Sequence, residues 1–260
     1  MTDEHFLHEQ SIIHFDFWYT YILFGFAFVF FFILNQIIKR HGTPKKANTV
    51  YDSWLWANLC VSLIHGLIVG IWSIISFLYH YEDHPGLFED PFLFFNTSSF
   101  LMMIVSTAYF FYDSLNILVS NMWKKNKEVL VHHFLIITVF VYLWHDIYGI
   151  GYTHLCLLSE SSSFFLHARK LLRIARFSSD SLKSRILSII NVVAFFIFRL
   201  IPLGFCVTRI YPEYFLMRRH FAYYSYLSIS VIVIFLINVG FFVRLLNTDF
   251  IRRNSYRKQK

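Results

Sequence analysis

A chain of 260 residues that is 57% hydrophobic and only 15% charged cannot fold as a soluble domain, because a water-facing surface of that size must be largely polar. Its mean hydropathy of +0.51 makes lipid the solvent for the excess apolar surface. The net charge of +7 does not mark a nucleic-acid binder, since the basic residues flank apolar runs and form no groove-sized patch.

In chain order, residues 1–16 read as a short non-cytoplasmic tail. The start MTDEHFLHEQ is acidic and lacks the basic region and cleavage site of a signal peptide. The apolar run at 17–38 is therefore read as a first span that stays in the protein, followed by a basic loop to residue 48. A helix crossing the hydrocarbon core needs roughly 20 apolar residues. Six further runs meet that length: 54–79, 93–119, 128–145, 148–168, 186–208 and 221–246. The expected fold class is all-α: a polytopic integral membrane protein with about seven transmembrane helices. Only His145-Asp146-Ile147 separates the fourth and fifth runs, which predicts a tight helical hairpin.

Loop charge tests this count. The segments 39–53, 120–127, 169–185 and 247–260 hold eighteen Lys and Arg residues. The alternate segments hold three: Arg209, Arg218 and Arg219. Basic residues concentrate on the cytoplasmic side, so the pattern predicts an outside N-terminus and a cytoplasmic basic tail at 250–260. Cys60, Cys156 and Cys206 all fall inside apolar runs and read as free thiols packed in the membrane.

Ionisable groups inside a span are costly and usually face a bundle interior or a wet cavity. Here they are His65 in span two, Asp113 in span three, His132 and His133 in span four, Glu160 and His167 in span five, and Arg199 in span six. At about 1.5 Å rise per residue, Asp113, the His pair and Glu160 lie within roughly 6–12 Å of the cytoplasmic ends of their spans. They are expected to converge on one cavity open to that side. Arg199 is expected in the outer half, beside a kink at Pro202. Adjacent helical residues point about 100° apart, so His132 and His133 cannot share one metal from a regular helix, and no metal site is assigned. One imidazole is expected to face the cavity and the other a neighbouring helix or the interface. Either carboxylate could orient an imidazole as base or nucleophile, or simply lock two helices. Ser159, Ser161, Ser162 and Ser163 around Glu160 are read as close-packing residues. The basic ledge from Arg169 to Arg176 is read as a topology determinant that attracts anionic headgroups.

Other membrane classes fit less well. The last span, with NVGFFVRLL, lacks the N-P-x-x-Y element of seven-span receptors, and no cysteine begins span three. Only Pro202 breaks a span, which does not match the paired broken helices of transporters.

The His pair entering a span, the acidic residue 28 positions later in a Ser-rich helix, and the element YFFYDSL ahead of the pair together resemble the TLC-domain family. That family includes ceramide synthases, translocating-chain-associated membrane proteins and the neuronal ceroid lipofuscinosis protein eight. The similarity covers residues 49–249, six of the spans. The stretches LLSESSSFFLHARKLL and FRLIPLG resemble the branch of TLC-domain proteins one and two (calfacilitin-like). The resemblance implies a regulator of membrane phospholipid composition and fluidity at the plasma membrane, limiting incorporation of polyunsaturated acyl chains. It implies a lipid or acyl-chain partner and no cofactor, with anionic headgroups at the cytoplasmic face. Protein partners are not indicated, and a nucleic-acid partner is not expected. The lipid site would comprise His65, Asp113, His132, His133, Glu160, Ser163, His167 and Arg199. The alternative is an acyltransferase of the ceramide-synthase type using acyl-CoA, with His132, His133, Asp113 and Glu160 as catalytic residues. Ceramide synthases carry His-Asp where this chain has Ser159-Glu160, and a second Asp where it has Ser163. A non-enzymatic role is therefore the leading expectation. The terminal RKQK resembles a dilysine retrieval signal, which makes the endoplasmic reticulum the alternative location.

Overall fold

The computed structural model describes residues 17–44, 47, 49–80, 86–175, 182–214 and 221–248. The expected tails at 1–16 and 250–260, and Lys45, Lys46, Arg176, Arg218 and Arg219, lie outside the described residues. Among the described residues every regular element is helical.

Helix α1 spans Phe17–His41 and closes on Lys39, Arg40 and His41, cations that complement the negative end of the helix dipole. Helix α2, Val50–Tyr79, starts where the Thr49 side chain accepts a hydrogen bond from the Asp52 amide at 2.9 Å. Helix α3, Thr97–Val119, starts the same way: the Asn96 side chain accepts from the Ser99 amide at 3.2 Å. A 3₁₀ turn at Trp123–Lys125 leads into α4, Lys127–Asp146. The tight reversal after α4 uses two residues in the left-handed region, Ile147 at φ 64° and Gly149 at φ 78°. Then follow α5, Ile150–Leu157, and α6, Glu160–Ile174. Helix α7, Leu182–Phe195, runs through a π turn at Phe196–Leu200 into α8, Ile201–Tyr214. Helix α9 is Phe221–Leu246.

Among the described residues, six of the predicted spans are continuous helical stretches long and apolar enough to cross a membrane: Trp18–His41, Val50–Tyr79, Thr97–Val119, Lys127–His145, Ser184–Pro212 (through the π turn) and Tyr224–Leu246. The run expected at 148–168 is different. It is two shorter helices, α5 and α6, meeting at Leu158 and Ser159. The serines and Glu160 at the junction make it too polar for a uniform apolar span. It still runs from one end of the bundle to the other. At its start the Gly149 amide donates to the Phe92 carbonyl at 2.8 Å, in the loop between α2 and α3. At its far end Lys170 borders the same hollow as Lys124 and Lys125, in the loop between α3 and α4. Those loops sit at opposite ends of α3. The predicted kink at Pro202 takes the form of the π turn just before it. Proline has no N–H to offer the carbonyl four residues back, so the preceding turn widens.

The α2–α6 interface is the most extensive in the bundle. Gly66 and Gly70 make it possible, standing one helical turn apart on one face of α2. A Cβ on Gly70 would lie 2.7 Å from the Ser161 Cα, and one on Gly66 would lie 3.1 Å from the Phe164 amide nitrogen. With the backbones this close, the Ser161 hydroxyl donates directly to the Gly70 carbonyl at 3.1 Å. The interface holds the start of α6, and with it Glu160, against α2. Aromatic and sulfur-containing side chains such as Phe31, Met102, Met103 and Phe110 fill the centre between α1, α2 and α3. Outward faces stay apolar too: Trp18, Phe26, Ile75 and Leu236 are all exposed, as suits contact with lipid tails.

Candidate lipid-binding cavity

A cavity of about 730 Å³ opens at the end of the bundle that carries the loop between α3 and α4. That volume falls within the usual range for small-ligand sites. Helices α2, α3, α4, α6, α7 and α9 and the π turn enclose it. Its mouth carries Lys124, Lys125, Lys127, Glu128, Lys170 and Arg244, while Leu59, Phe110, Leu166, Phe195 and Leu245 give it apolar wall.

The His pair and Asp113 form one side. Asp113 is 2% exposed on α3, and its Oδ2 lies 3.4 Å from His133 Nδ1. The Ser114 hydroxyl lies 3.5 Å from the same nitrogen, and the His133 ring packs beside Phe110 at 5.0 Å between centroids. His132 stands 5.8 Å away, centroid to centroid, and both imidazoles line the cavity. This departs from the expectation that one would turn away. His132 keeps a buried Nδ1 with no hydrogen-bond partner, and so does His167 on α6.

The other side is built on Glu160. Its Oε2 lies 3.6 Å from His65 Nδ1. His65 is fully buried, stacked on Tyr109 at 3.8 Å, with Nε2 3.4 Å from the Ser106 hydroxyl. It does not line the cavity. It stands behind the wall, and Tyr109 is the ring that faces the hollow, because an imidazole clamped between Glu160 and a stacked phenol has no open face. The Tyr109 hydroxyl donates to the Ser62 hydroxyl at 2.8 Å, which in turn donates to the Asn58 carbonyl at 2.9 Å.

Arg199 also borders the hollow. The π turn carries it to the cavity, where Nε donates to the Ser162 hydroxyl at 3.1 Å and Nη1 to Asn238 Oδ1 at 2.9 Å. Nη2 donates to the Ser159 carbonyl at 3.3 Å and to the Ser163 hydroxyl. The guanidinium also lies over the Phe195 ring at 5.0 Å. One side chain thus ties α6, the π turn and α9 together. The structure therefore gathers Asp113, His132, His133, Glu160, Ser163, His167 and Arg199 around one hollow, with His65 supporting it from behind.

Asn58, Ser62 and Tyr109, and the mouth residues Glu128 and Arg244, also border the cavity and were not singled out from sequence. A signal existed for two of them: Asn58, Ser62, Gly66, Gly70 and Ser73 recur at helical spacing and form one polar, small-residue stripe of α2. His154 was missed too. It lies at the opposite end, with Nδ1 2.7 Å from the Ser99 hydroxyl and Nε2 3.1 Å from the Ser73 carbonyl. Among the described residues no group of three or more His, Cys, Asp or Glu is placed to hold a metal ion.

Comparison with known proteins accounts for most of the chain. A family model described as TLC domain matches residues 55–247. The chain is 29% identical over 236 residues to TLC domain-containing protein 2 of Danio rerio, covering 89% of this chain and 92% of that protein. It is 28% identical over 230 residues to TLC domain-containing protein 1 of Mus musculus, covering 87% and 89%. It is 30% identical over 197 residues to TLC domain-containing protein 1 of Gallus gallus, covering 76% and 75%. No solved structure matches the chain.

Proposed function

The chain belongs to the TLC-domain family of multi-pass membrane proteins, and from that membership and the cavity we propose that it regulates membrane phospholipid composition by holding a lipid or acyl chain between its helices. It limits incorporation of polyunsaturated acyl chains into phospholipids and so sets membrane fluidity, with no cofactor. The observation that carries this reading is the hollow itself, which joins apolar wall to buried polar groups and a basic mouth. Apolar wall suits an acyl chain. The lysines at the mouth suit an anionic headgroup at the membrane surface. The unpartnered Nδ1 atoms of His132 and His167 are groups that a ligand's ester or hydroxyl would satisfy. Deleting the protein should raise the polyunsaturated share of phospholipid acyl chains and lower membrane order. Phospholipid profiles that stay unchanged under both saturated and polyunsaturated load would remove the proposal. The plasma membrane is the proposed location and the endoplasmic reticulum the alternative. A fluorescent tag at the N-terminus, leaving the C-terminal lysines free, separates them.

One observation favours a second reading, acyl transfer. The Asp113–His133 pair lies in a cavity of suitable size, and a carboxylate that orients an imidazole prepares it to take a proton. In that reading an acyl-CoA thioester bond breaks, an ester or amide bond forms to the acceptor, and the imidazole carries the acceptor's proton to the leaving thiolate. Purified protein with labelled acyl-CoA and candidate acceptors tests this. Absence of turnover, or turnover indifferent to His132→Ala and His133→Ala, removes it.

A further inference from the structure

The walls of the cavity are not equally firm. Helices α2 and α6 meet backbone to backbone, but α4 and α9 touch sparsely although the hollow lies directly behind their seam. From α4 the lining takes Val129, His132 and His133, and from α9 Phe241 and Leu245. Polar ties cross this seam near both of its ends. Toward the far end the Thr138 hydroxyl meets the Tyr226 hydroxyl at 2.5 Å. At the mouth Arg244 grips Glu128 with two parallel bonds, Nη1 to Oε2 at 3.0 Å and Nη2 to Oε1 at 2.8 Å. Just beyond Glu128 along α4, Val131 and Phe134 are exposed at 51% and 63%, so the seam opens toward lipid tails and not toward another helix.

The mouth pair also has an unusual electrostatic setting. Among the described residues lining the mouth, Glu128 is the one carboxylate, next to Lys124, Lys125 and Lys127. Those lysines rest on aromatic rings: Lys125 over Tyr51 at 4.0 Å, and Lys124 and Lys127 over Trp123 at 5.6 and 5.9 Å. A fork-to-fork guanidinium–carboxylate pair is the geometry that a phosphate also satisfies. An incoming phosphate can take Arg244, and the released Glu128 finds cations beside it.

We propose that the Glu128–Arg244 pair is the latch of a lateral portal between α4 and α9, and that a lipid carrying an anionic headgroup opens it by taking Arg244 from Glu128. The inference rests on the cavity being a lipid site and adds the route and the trigger. Both latch residues are more than half exposed, so the bond is weak enough to yield at ordinary temperature.

The test is lipid exchange into the full chain in phosphatidylcholine nanodiscs, followed by native mass spectrometry. The probes are dioctanoyl phosphatidate, which is anionic, and dioctanoylglycerol, which is neutral. In the native protein the phosphatidate should exchange faster than the diacylglycerol. Glu128→Gln should speed the neutral probe about two- to fivefold and remove the difference between probes. The exchanged pair E128R with R244E should restore the native rate for the neutral probe. A bismaleimide joining E128C to R244C, with Cys60, Cys156 and Cys206 replaced by alanine, should slow both probes at least tenfold relative to the same protein without the linker. Equal rates in the native protein, E128Q and the linked form would overturn the portal. A neutral probe that matches phosphatidate before mutation would overturn the trigger. Absence of any bound probe in every form is a separate result, and it defeats the lipid-site reading itself.

Discussion

His154 is buried in the apolar bundle and His132 half-buried, and their surroundings differ in kind. His154 belongs to the end of the bundle away from the basic loops. There Ser99 and the Ser73 carbonyl occupy both of its ring nitrogens, Trp72 donates to the Ser98 hydroxyl at 2.7 Å, and Trp144 donates to the Thr20 hydroxyl at 2.9 Å. Each polar group in that set has a partner, so the set works as glue between helices. At the basic end His132 and His167 keep a buried ring nitrogen without a partner beside an open hollow. The contrast teaches that burial in a membrane does not by itself mark a histidine as functional. What distinguishes the two ends is whether neighbouring helices complete its hydrogen bonds or leave them for something else.

The largest test of this contrast is a residue at the border. Arg199→Met removes four donated bonds and strips a buried cation from the neighbourhood of Glu160. Breaking such a buried cluster should cost about 3–5 kcal/mol, read as loss of thermal stability in detergent micelles. A change below about 1 kcal/mol would show that the cluster is not a structural tie. Next in size is Gly70→Ala, whose new Cβ would press on the Ser161 backbone and should cost about 1–3 kcal/mol. Gly240→Ala, which meets nothing within 4 Å, is the neutral comparison. The direct comparison comes third. His154→Ala should destabilise by about 1–3 kcal/mol and leave lipid occupancy unaltered, since it takes the partner from the buried Ser99 hydroxyl. His132→Ala should change stability by less than about 1 kcal/mol and reduce occupancy, measured by lipid extraction from the purified protein. Equal destabilisation by the two would erase the distinction. The smallest effect is the coupling between Asp113 and His133. A double-mutant cycle with Asp113→Asn and His133→Ala should give about 0.5–1 kcal/mol. Additive losses would mean that the 3.4 Å approach carries no interaction.

Much of the architecture was legible because lipid imposes a coarse grammar: long apolar runs and basic loops on alternate sides mark the spans without any packing detail. The run at 148–168 escaped it because Glu160 and its serines are tolerated only against the Gly66–Gly70 face of α2, and no local pattern declares a partner 90 residues away. The convergence of Asp113, the His pair and Glu160 followed from depth along each helix, which residue counting supplies. Depth says nothing about rotation, so His65 was assigned to the wall when Tyr109 takes that place. The bonds of Arg199 stay hidden for a related reason. A π turn shifts a side chain around the helix axis, and no residue type between Phe196 and Leu200 announces one. Glu128 and Arg244 sit 116 positions apart near helix ends, where charges are ordinary, and only their pairing makes them notable.

The order in which the helices leave the ribosome gives the broken fifth crossing a further meaning. When Glu160 reaches the bilayer, the groove of α2 and the ring of His65 are already there, but Arg199 and Asn238 have yet to emerge from the ribosome. The carboxylate therefore spends part of biosynthesis held from one side only. Guanidinium and amide later close the other side like a clasp, so the newborn chain matures in two stages, and a nascent protein stalled before residue 199 should be the form that quality-control machinery recognises as unfinished.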